Sequence, residues 1–399
     1  MEARDRPSRA RAVDPRFNVA LEASAGTGKT RVLVDRYVNL LKAGVDPANI
    51  LAITFTRKAA SEMRDRIMAT LRTAAAAGDL TPARWRELRD RTTEITISTI
   101  DAFCLSLLRE FPLEADLDPG FSVADDTEVP RLIDESLDRS LRICRSIAQD
   151  DENVALVFAQ LGDRRVRAGL AALLNRRIIA PRVLERFLTS GQDVLDVGGA
   201  CARAANAILD VFEAMRGGLD RFLDTGPLEP AFDVLRSDLR RVHAAVASNA
   251  PLDPAAVQAA FARIRAHFFT QDATPRTKSP YPKTAFANAN DWRVHRELIV
   301  EHAAAVGRVQ ARYRRDLNVL VSRGIWRMYR ISEEQYQRTL DAHAVLDFSD
   351  LLLRALQLLR QMEEFAQSRY RLESRYHHVL VDEFQDTSRA QWEIGRAHV

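Results

Sequence analysis

Residues Ala23-Ser24-Ala25-Gly26-Thr27-Gly28-Lys29-Thr30 decide the fold class of this chain. They lie between a short apolar run at residues 19–21 and a segment with helical spacing at residues 30–43. A glycine-rich loop that joins a strand to a helix and ends in Lys-Thr is the P-loop pattern. Its glycines let backbone N–H groups surround phosphate oxygens, Lys29 adds a positive charge, and the Thr30 hydroxyl can hold Mg²⁺. The alternative is a glycine-rich turn without a ligand, and the flanking strand and helix patterns argue against it.

Strand and helix patterns alternate along the first 110 residues. Residues 50–54 and 95–98 are strands of the buried type, and residues 58–71 and 100–111 show helical spacing. Strands that alternate with helices predict a parallel sheet with helical crossovers. We therefore expect an α/β fold whose parallel sheet carries the P-loop.

The middle of the chain has a different texture. Residues 113–340 are rich in Ala, Arg, Leu and Asp with helical periodicity, and strand candidates nearly vanish. Polar, proline-containing loops interrupt the pattern near residues 225–230 and 274–284. After this region, a helix at residues 348–359 and a buried strand at residues 378–381 resume the α/β pattern.

A second stretch with chemical meaning is VLVDEFQDT at residues 379–387. A buried strand that ends in two carboxylates is how a P-loop ATPase binds its metal and activates water. Asp382 is expected to reach Mg²⁺, and Glu383 is expected to polarise the attacking water. Lys29 and Asp382 lie 353 residues apart yet must meet at one metal, so their strands should belong to one sheet.

This requirement predicts the domain organisation. We expect an α/β domain in two parts, residues 1–112 and 341–399, split by a mostly helical insertion at residues 113–340. Thr30 and Asp382 should then face one another at the carboxyl edge of the sheet, where ligands bind in open α/β folds.

Composition excludes several classes of protein. The chain has 399 residues, 46% of them hydrophobic, which excludes wholesale disorder. Its 58 basic and 55 acidic residues leave a net charge of +3, too mild to establish a nucleic-acid partner. Cys104, Cys144 and Cys201 form no CxxC pair, so neither a disulfide framework nor a zinc site is expected. There is no apolar run of ~18 residues and no signal-peptide pattern, so we expect a cytoplasmic protein without a membrane segment.

Five ordered motifs resemble those of the UvrD/Rep-type superfamily 1 helicases. They are ASAGTGKT, ILAITFTRKAASEM, TISTIDAFC, LDFSDLL and VLVDEFQDT. The wording TIDAFCLSLLREFP and the long gap before DEFQDT are most similar to the RecB/AddA branch, the helicase–nuclease subunits of double-strand-break processing. The resemblance implies an ATP-dependent 3′→5′ DNA helicase with a RecA-like domain and a DNA-binding helical insertion. It implies ATP and Mg²⁺ as cofactors, single-stranded or duplex DNA as partner, and a second helicase–nuclease subunit.

The resemblance also implies roles for individual residues. The nucleotide-binding set is Ala23, Ser24, Ala25, Gly26, Thr27, Gly28, Lys29, Thr30 and Arg31, with Arg31 beside the adenine. The catalytic set is Lys29, Asp382, Glu383 and Gln385, in which Gln385 couples the γ-phosphate to bound DNA. The expected single-stranded-DNA contacts are Phe55, Thr56, Arg57 and Thr99. An exposed aromatic ring and a cation at a strand end suit base stacking and phosphate contact, whereas a core aromatic with a solvated arginine is the alternative.

Three features depart from the family pattern. The family usually carries a glutamine upstream of the P-loop that reads adenine, whereas the first glutamine here is Gln149. Many relatives carry histidine where this chain has Asp101. The sequence ends soon after the second motif, and residues 394–399 break a helical pattern, so we expect an artificially truncated N-terminal fragment without the second RecA-like domain or a nuclease domain.

Two other functions remain open at this point. A non-helicase P-loop ATPase or signalling NTPase predicts hydrolysis that DNA does not stimulate. A catalytically silent protein that binds DNA or another partner predicts no turnover. The basic loop at residues 274–284, with Arg276, Lys278 and Lys283, is interpreted as a solvated loop, with DNA contact as its alternative.

Overall fold

The computed structural model describes residues 6–22, 28–189, 195–361 and 374–383. The chain divides into two compact units, and each has its own core. Unit one comprises Met1–Leu132 with Arg338–Val399, and unit two comprises Ile133–Gln337. No helix within the described ranges is long and apolar enough to cross a membrane.

Helices and strands are numbered in chain order. The α-helices are α1 Arg6–Ala12, α2 Lys29–Lys42, α3 Arg57–Ala76, α4 Pro82–Asp90, α5 Ile100–Glu110, α6 Glu128–Ile147, α7 Glu152–Leu174, α8 Ala180–Thr189, α9 Val197–Glu213, α10 Gly218–Asp224, α11 Pro230–Ala247, α12 Pro254–Phe268, α13 Ala289–His343 and α14 Phe348–Gln361. The strands are β1 Ile50–Thr54, β2 Thr96–Thr99, β3 Ser122–Val123, β4 Val345–Leu346 and β5 His378–Val381. Short 3₁₀ turns lie at Pro47–Asn49, Thr92–Glu94 and Lys283–Ala285.

A parallel sheet of order β2-β1-β5 organises unit one. The central strand β1 is buried along its whole length, as a parallel strand covered on both faces should be. Helices α2 and α3 pack against it through a core that includes Tyr37, Leu41, Ile67 and Leu71. The mixed α/β class and the parallel sheet are confirmed.

Threonines fix the points at which three helices of unit one begin. The hydroxyl oxygens of Thr56, Thr81 and Thr99 accept backbone N–H groups at the starts of α3, α4 and α5, at 3.1, 3.2 and 3.2 Å. Such N-caps satisfy donors that have no partner within the helix. Two of them, Thr56 and Thr99, stand where β1 and β2 end, so each cap also sets how the chain leaves the sheet.

The expected strands agree with the structure at two positions and fail at one. Strands at residues 50–54 and 378–381 are confirmed residue for residue, and β2 begins one residue later than expected. The expected strand at residues 19–21 is wrong, because this exposed segment pairs with no strand in the described chain. Its physical reason lies just upstream, where the Arg36 guanidinium of α2 binds backbone carbonyls of residues 12–17 and holds the chain along the helix.

Unit two is helical, as the texture of the sequence predicts. Its core joins α9, α10, α11 and α12 to part of α13, and aromatic rings fill much of it. Phe212, Phe222, Phe232 and Phe268 are each 0% exposed. Strands β3 and β4, a parallel pair of two residues each in unit one, were not expected, since two residues are too few to show a periodic pattern.

Candidate nucleotide site at the strand ends

The candidate site begins at the N-terminus of α2. Gly28 occupies the N-cap position with φ of 88°, in the left-handed region that glycine adopts without strain. The Gly28 carbonyl accepts the Val32 N–H at 3.1 Å, which starts the helical ladder. The first N–H groups of the helix have no partner within it, and the helix dipole makes this end attractive to anions. Lys29 and Thr30 therefore stand at an anion-favouring end.

Asp382 enters the same site from β5. Ile53 of β1 pairs with Val381, and the Asp382 N–H donates to the Ile53 carbonyl at 2.9 Å. The ladder thus fixes the backbone directly before the carboxylate. Asp382 is only 7% exposed, and its Oδ2 accepts the Thr30 hydroxyl at 3.4 Å. Two residues 352 positions apart in the chain are therefore neighbours, as the two-part sheet requires.

Glu383 has an unusual backbone. Its φ is 52°, a left-handed conformation that costs a residue with a Cβ about 1–2 kcal/mol. The Glu383 N–H donates to Asp382 Oδ1 at 3.1 Å, so the carboxylate that faces Thr30 also supports this turn. Strained backbone of this kind occurs preferentially at functional sites.

The oxygen atoms of Thr30 and Asp382 fit a magnesium ion. Mg²⁺ prefers oxygen ligands and usually takes one or two from the protein, while water and substrate phosphates complete its shell. A hydroxyl and a carboxylate 3.4 Å apart, beside an anion-favouring helix end, match that preference.

Expected DNA contacts lie on the same edge of the sheet. Thr54 at the end of β1 pairs with Thr99 at the end of β2, one step beyond the Ile53–Val381 pair. Phe55 follows β1 and is 52% exposed, a large fraction for an aromatic ring. The side chain of Arg57, the first residue of α3, is also exposed.

Thr99 and its neighbour Asp101 differ from simple surface contacts. Thr99 is 9% exposed, and its hydroxyl oxygen already caps α5. Partial burial raises the pKa of the Asp101 carboxyl, and the charge of Arg57 acts in the opposite direction. An acidic group therefore stands near the cation expected to bind DNA, and the role of Thr99 in DNA binding stays a prediction.

Several expected residues lie elsewhere. Ala23, Ser24, Ala25, Gly26 and Thr27 of the loop, together with Gln385, fall outside the described residues. Arg31 is exposed and lies 4.0 Å from the Asp35 carboxylate. It borders a cleft of about 420 Å³ between α2 and α3 that Arg66 also lines.

One residue beside the site was missed in the sequence. A Cβ added to Gly28 would lie 3.7 Å from Nη1 of Arg9, so the Arg9 guanidinium stands next to the start of α2. Arg9 is one arginine in an arginine-rich N-terminal segment, and nothing in its spacing separates it from its neighbours. Only the packing of α1 reveals its position.

With this geometry established, comparison with known proteins becomes informative. The model of the UvrD/REP helicase N-terminal domain matches residues 6–216 and 229–397. This chain belongs to that family. The match includes the P-loop, both strand-end motifs and the residues that follow β5. The resemblance to UvrD/Rep-type helicases is confirmed.

Similar curated proteins share one name, that of the AddA subunit of the ATP-dependent helicase/nuclease, which agrees with the RecB/AddA branch. The protein of Levilactobacillus brevis is 47% identical over 123 residues, 30% of this chain and 10% of that protein. The protein of Listeria monocytogenes serotype 4b is 26% identical over 406 aligned residues, 95% of this chain and 32% of that protein. The protein of Lactobacillus delbrueckii subsp. bulgaricus is 26% identical over 96% of this chain and 33% of its own length. The chain thus spans at most about a third of the length of these relatives.

Proposed function

We propose that this chain is part of the ATP-binding motor of a 3′→5′ DNA helicase of the RecB/AddA type that acts in double-strand-break repair. The contact between Thr30 and Asp382, 3.4 Å across 352 residues of chain, carries the proposal because it joins the two phosphate-site motifs. The names of the relatives support a helicase–nuclease context. The same proposal includes a cytoplasmic location and, as partner, a second helicase–nuclease subunit.

The nucleotide site is built from both ends of the chain. Lys29 binds the β- and γ-phosphates, and backbone N–H groups at the start of α2 add to this attraction. Thr30 and Asp382 hold Mg²⁺, which neutralises phosphate charge when bound. Glu383 orients the attacking water and accepts its proton. Residues 23–27 and Arg31 surround the rest of the nucleotide, and Gln385 links the γ-phosphate to bound DNA.

The domain organisation follows from the same site. We infer that residues 113–340 form a helical insertion in a RecA-like domain whose parts are residues 1–112 and 341–399. The compact unit of Met1–Leu132 with Arg338–Val399 supports this view. In the family a second RecA-like domain supplies arginines to the transition state, so this chain by itself should bind Mg-nucleotide and hydrolyse it slowly.

Removal of the Lys29 charge tests the nucleotide site. Lys29→Ala should weaken Mg-ATP binding by about tenfold or more, because a charge-assisted contact to the phosphates is lost. Titration of a fluorescent ATP analogue into the 399-residue chain measures this. Lys42→Ala is the matched control, since Lys42 ends the same helix and pairs with Asp79 at 3.0 Å. Equal affinities for Lys29→Ala and the control would refute the assignment.

DNA binding is expected along the edge formed by Phe55, Thr56, Arg57 and Thr99. For roughly three phosphate contacts, affinity for single-stranded DNA should fall about tenfold between roughly 50 and 200 mM salt, with little sequence selectivity. Arg57→Ala should weaken binding and flatten the salt dependence, whereas Arg72→Ala, an exposed arginine later in α3, should leave both unchanged. Anisotropy of a labelled oligonucleotide measures both quantities. Affinity that does not change with salt would contradict the proposal, and ATPase activity that DNA fails to stimulate would favour a non-helicase ATPase.

A further inference from the structure

The Arg9 guanidinium lies at the start of the P-loop helix. Gly28 has its Cα hydrogens directed toward Arg9, because an added Cβ would meet Arg9 Nη1 at 3.7 Å and the Cβ of Arg31 at 4.0 Å. Arg9 therefore shares one small region with Arg31 and with the backbone that leads into Lys29. Three cationic side chains, two of them on α2, surround the end of α2 that attracts anions.

The position of Arg9 is set by contacts from α2. The Arg36 guanidinium donates to the carbonyls of Ala12 and Asp14 at 2.9 and 2.8 Å, and Asn39 Nδ2 donates to the Val13 carbonyl at 3.0 Å. These bonds attach the chain directly after α1 to the side of α2. Ala12 at the end of α1 is buried, which fixes the helix further. Arg9 thus projects from an anchored helix.

The chemistry of a guanidinium decides what it can bind there. Arginine has five N–H donors and no acceptor, so it cannot accept a hydrogen bond from the amino group of adenine. Its planar fork matches phosphate oxygens, to which it binds more strongly than a neutral donor would. Phosphates are also the groups that the N–H donors of a helix start attract.

We propose that Arg9 contacts the phosphate chain of the nucleotide and makes affinity depend on the number of phosphates. The inference rests on the proposed nucleotide site and adds a residue to it. The contribution of Arg9 is electrostatic and bidentate, so it grows with phosphate charge and is indifferent to the base. Arg9 is then a binding residue and takes no part in the activation of water.

Nucleotide competition on the 399-residue chain tests this role. ATP, ADP, AMP and GTP compete with a fluorescent ATP analogue in the presence of Mg²⁺, for wild type, Arg9→Ala, Arg9→Lys and Arg11→Ala. Arg9→Ala should weaken ATP binding by about tenfold and AMP binding by less than about twofold, with an unchanged ATP-to-GTP ratio. Arg9→Lys should recover part of the loss, because it keeps the charge without the fork.

Arg11 is the matched control. It lies in the same helix, but its guanidinium stands 5.0 Å from the centroid of the Phe17 ring. Arg11→Ala should bind all four nucleotides as the wild type does. ATP affinity that is unchanged in Arg9→Ala, an equal loss for ATP and AMP, or a change in the ATP-to-GTP ratio would each overturn the phosphate role. Wild-type chain that binds no nucleotide would instead refute the proposed function, and the inference with it.

Discussion

Replacing Glu383 with glutamine should lower ATP turnover by about 10²–10⁴-fold while Mg-ATP affinity stays within about twofold of wild type. Glutamine keeps the size of the side chain and a hydrogen-bonding oxygen, yet it cannot accept a proton from water. The phosphate and metal contacts come from Lys29, Thr30 and Asp382, which the substitution leaves in place. Loss of hydrolysis with retained binding is therefore the signature of a residue that activates water.

The strained backbone at Glu383 sharpens the experiment. Glutamine preserves the N–H that donates to Asp382 Oδ1 at 3.1 Å, so the turn with φ of 52° is retained. Turnover is measured in the longest natural form that carries this sequence, because the chain spans at most 33% of the relatives named above, and binding is measured in the 399-residue chain. Glu62→Gln, on the exposed face of α3, is the control for loss of one carboxylate. Equal loss of binding in Glu383→Gln and Lys29→Ala would defeat the division of roles.

The sheet edge could be predicted because short apolar runs and parallel topology determine it together. Ile50 and His378 begin runs that the structure pairs in register, and parallel strands bring all their carboxyl ends to one edge. Asp382 must then approach Thr30 whatever the intervening chain does. This explains why a contact across 352 residues could be expected from local patterns alone.

Other features depend on packing that no local pattern records. The run at residues 19–21 is apolar, but whether it becomes a strand depends on a neighbour, and Arg36 holds the preceding chain on α2. The position of Arg9 follows from that same attachment. The left-handed backbone of Glu383 could not be expected either, since a glutamate gives no sign that its φ will be positive. A pair of buried histidines in unit two also joins residues from separate helices.

That pair should make unit two sensitive to acid. His267 of α12 and His295 of α13 are 4% and 0% exposed, and their Nε2 atoms lie 2.9 Å apart. Phe222 stacks on His295 at 4.7 Å between ring centroids, and the Phe232 ring lies 5.2 Å from that of His267. One imidazole must donate to the other, so at least one of these nitrogens is unprotonated in the folded state.

The direction of the effect follows from the pKa values. Burial lowers the pKa of His295 to about 4, and burial together with the charges of His295 and Arg276 lowers the pKa of His267 well below 6.5. In the unfolded chain both groups titrate near their ordinary value of 6.5. The unfolded state therefore binds more protons below pH 6.5, and stability falls as the pH falls from there toward 4. His295 alone should cost about 2 kcal/mol of unfolding free energy by about pH 5, and His267 adds a loss of the same sign.

Urea unfolding followed by circular dichroism at about pH 7.5 and about pH 5 measures this loss in wild type, His295→Phe and His243→Gln. His295→Phe keeps a ring in the aromatic cluster but removes the titrating group, so its loss of stability between the two pH values should shrink by about 2 kcal/mol. His243 is exposed on α11, so His243→Gln should lose as much stability as the wild type. The comparison uses the difference between pH values within each variant, and the cost of the unpaired His267 nitrogen therefore cancels. If His295→Phe and wild type lose equal stability on acidification, the buried pair does not cause the acid sensitivity of unit two.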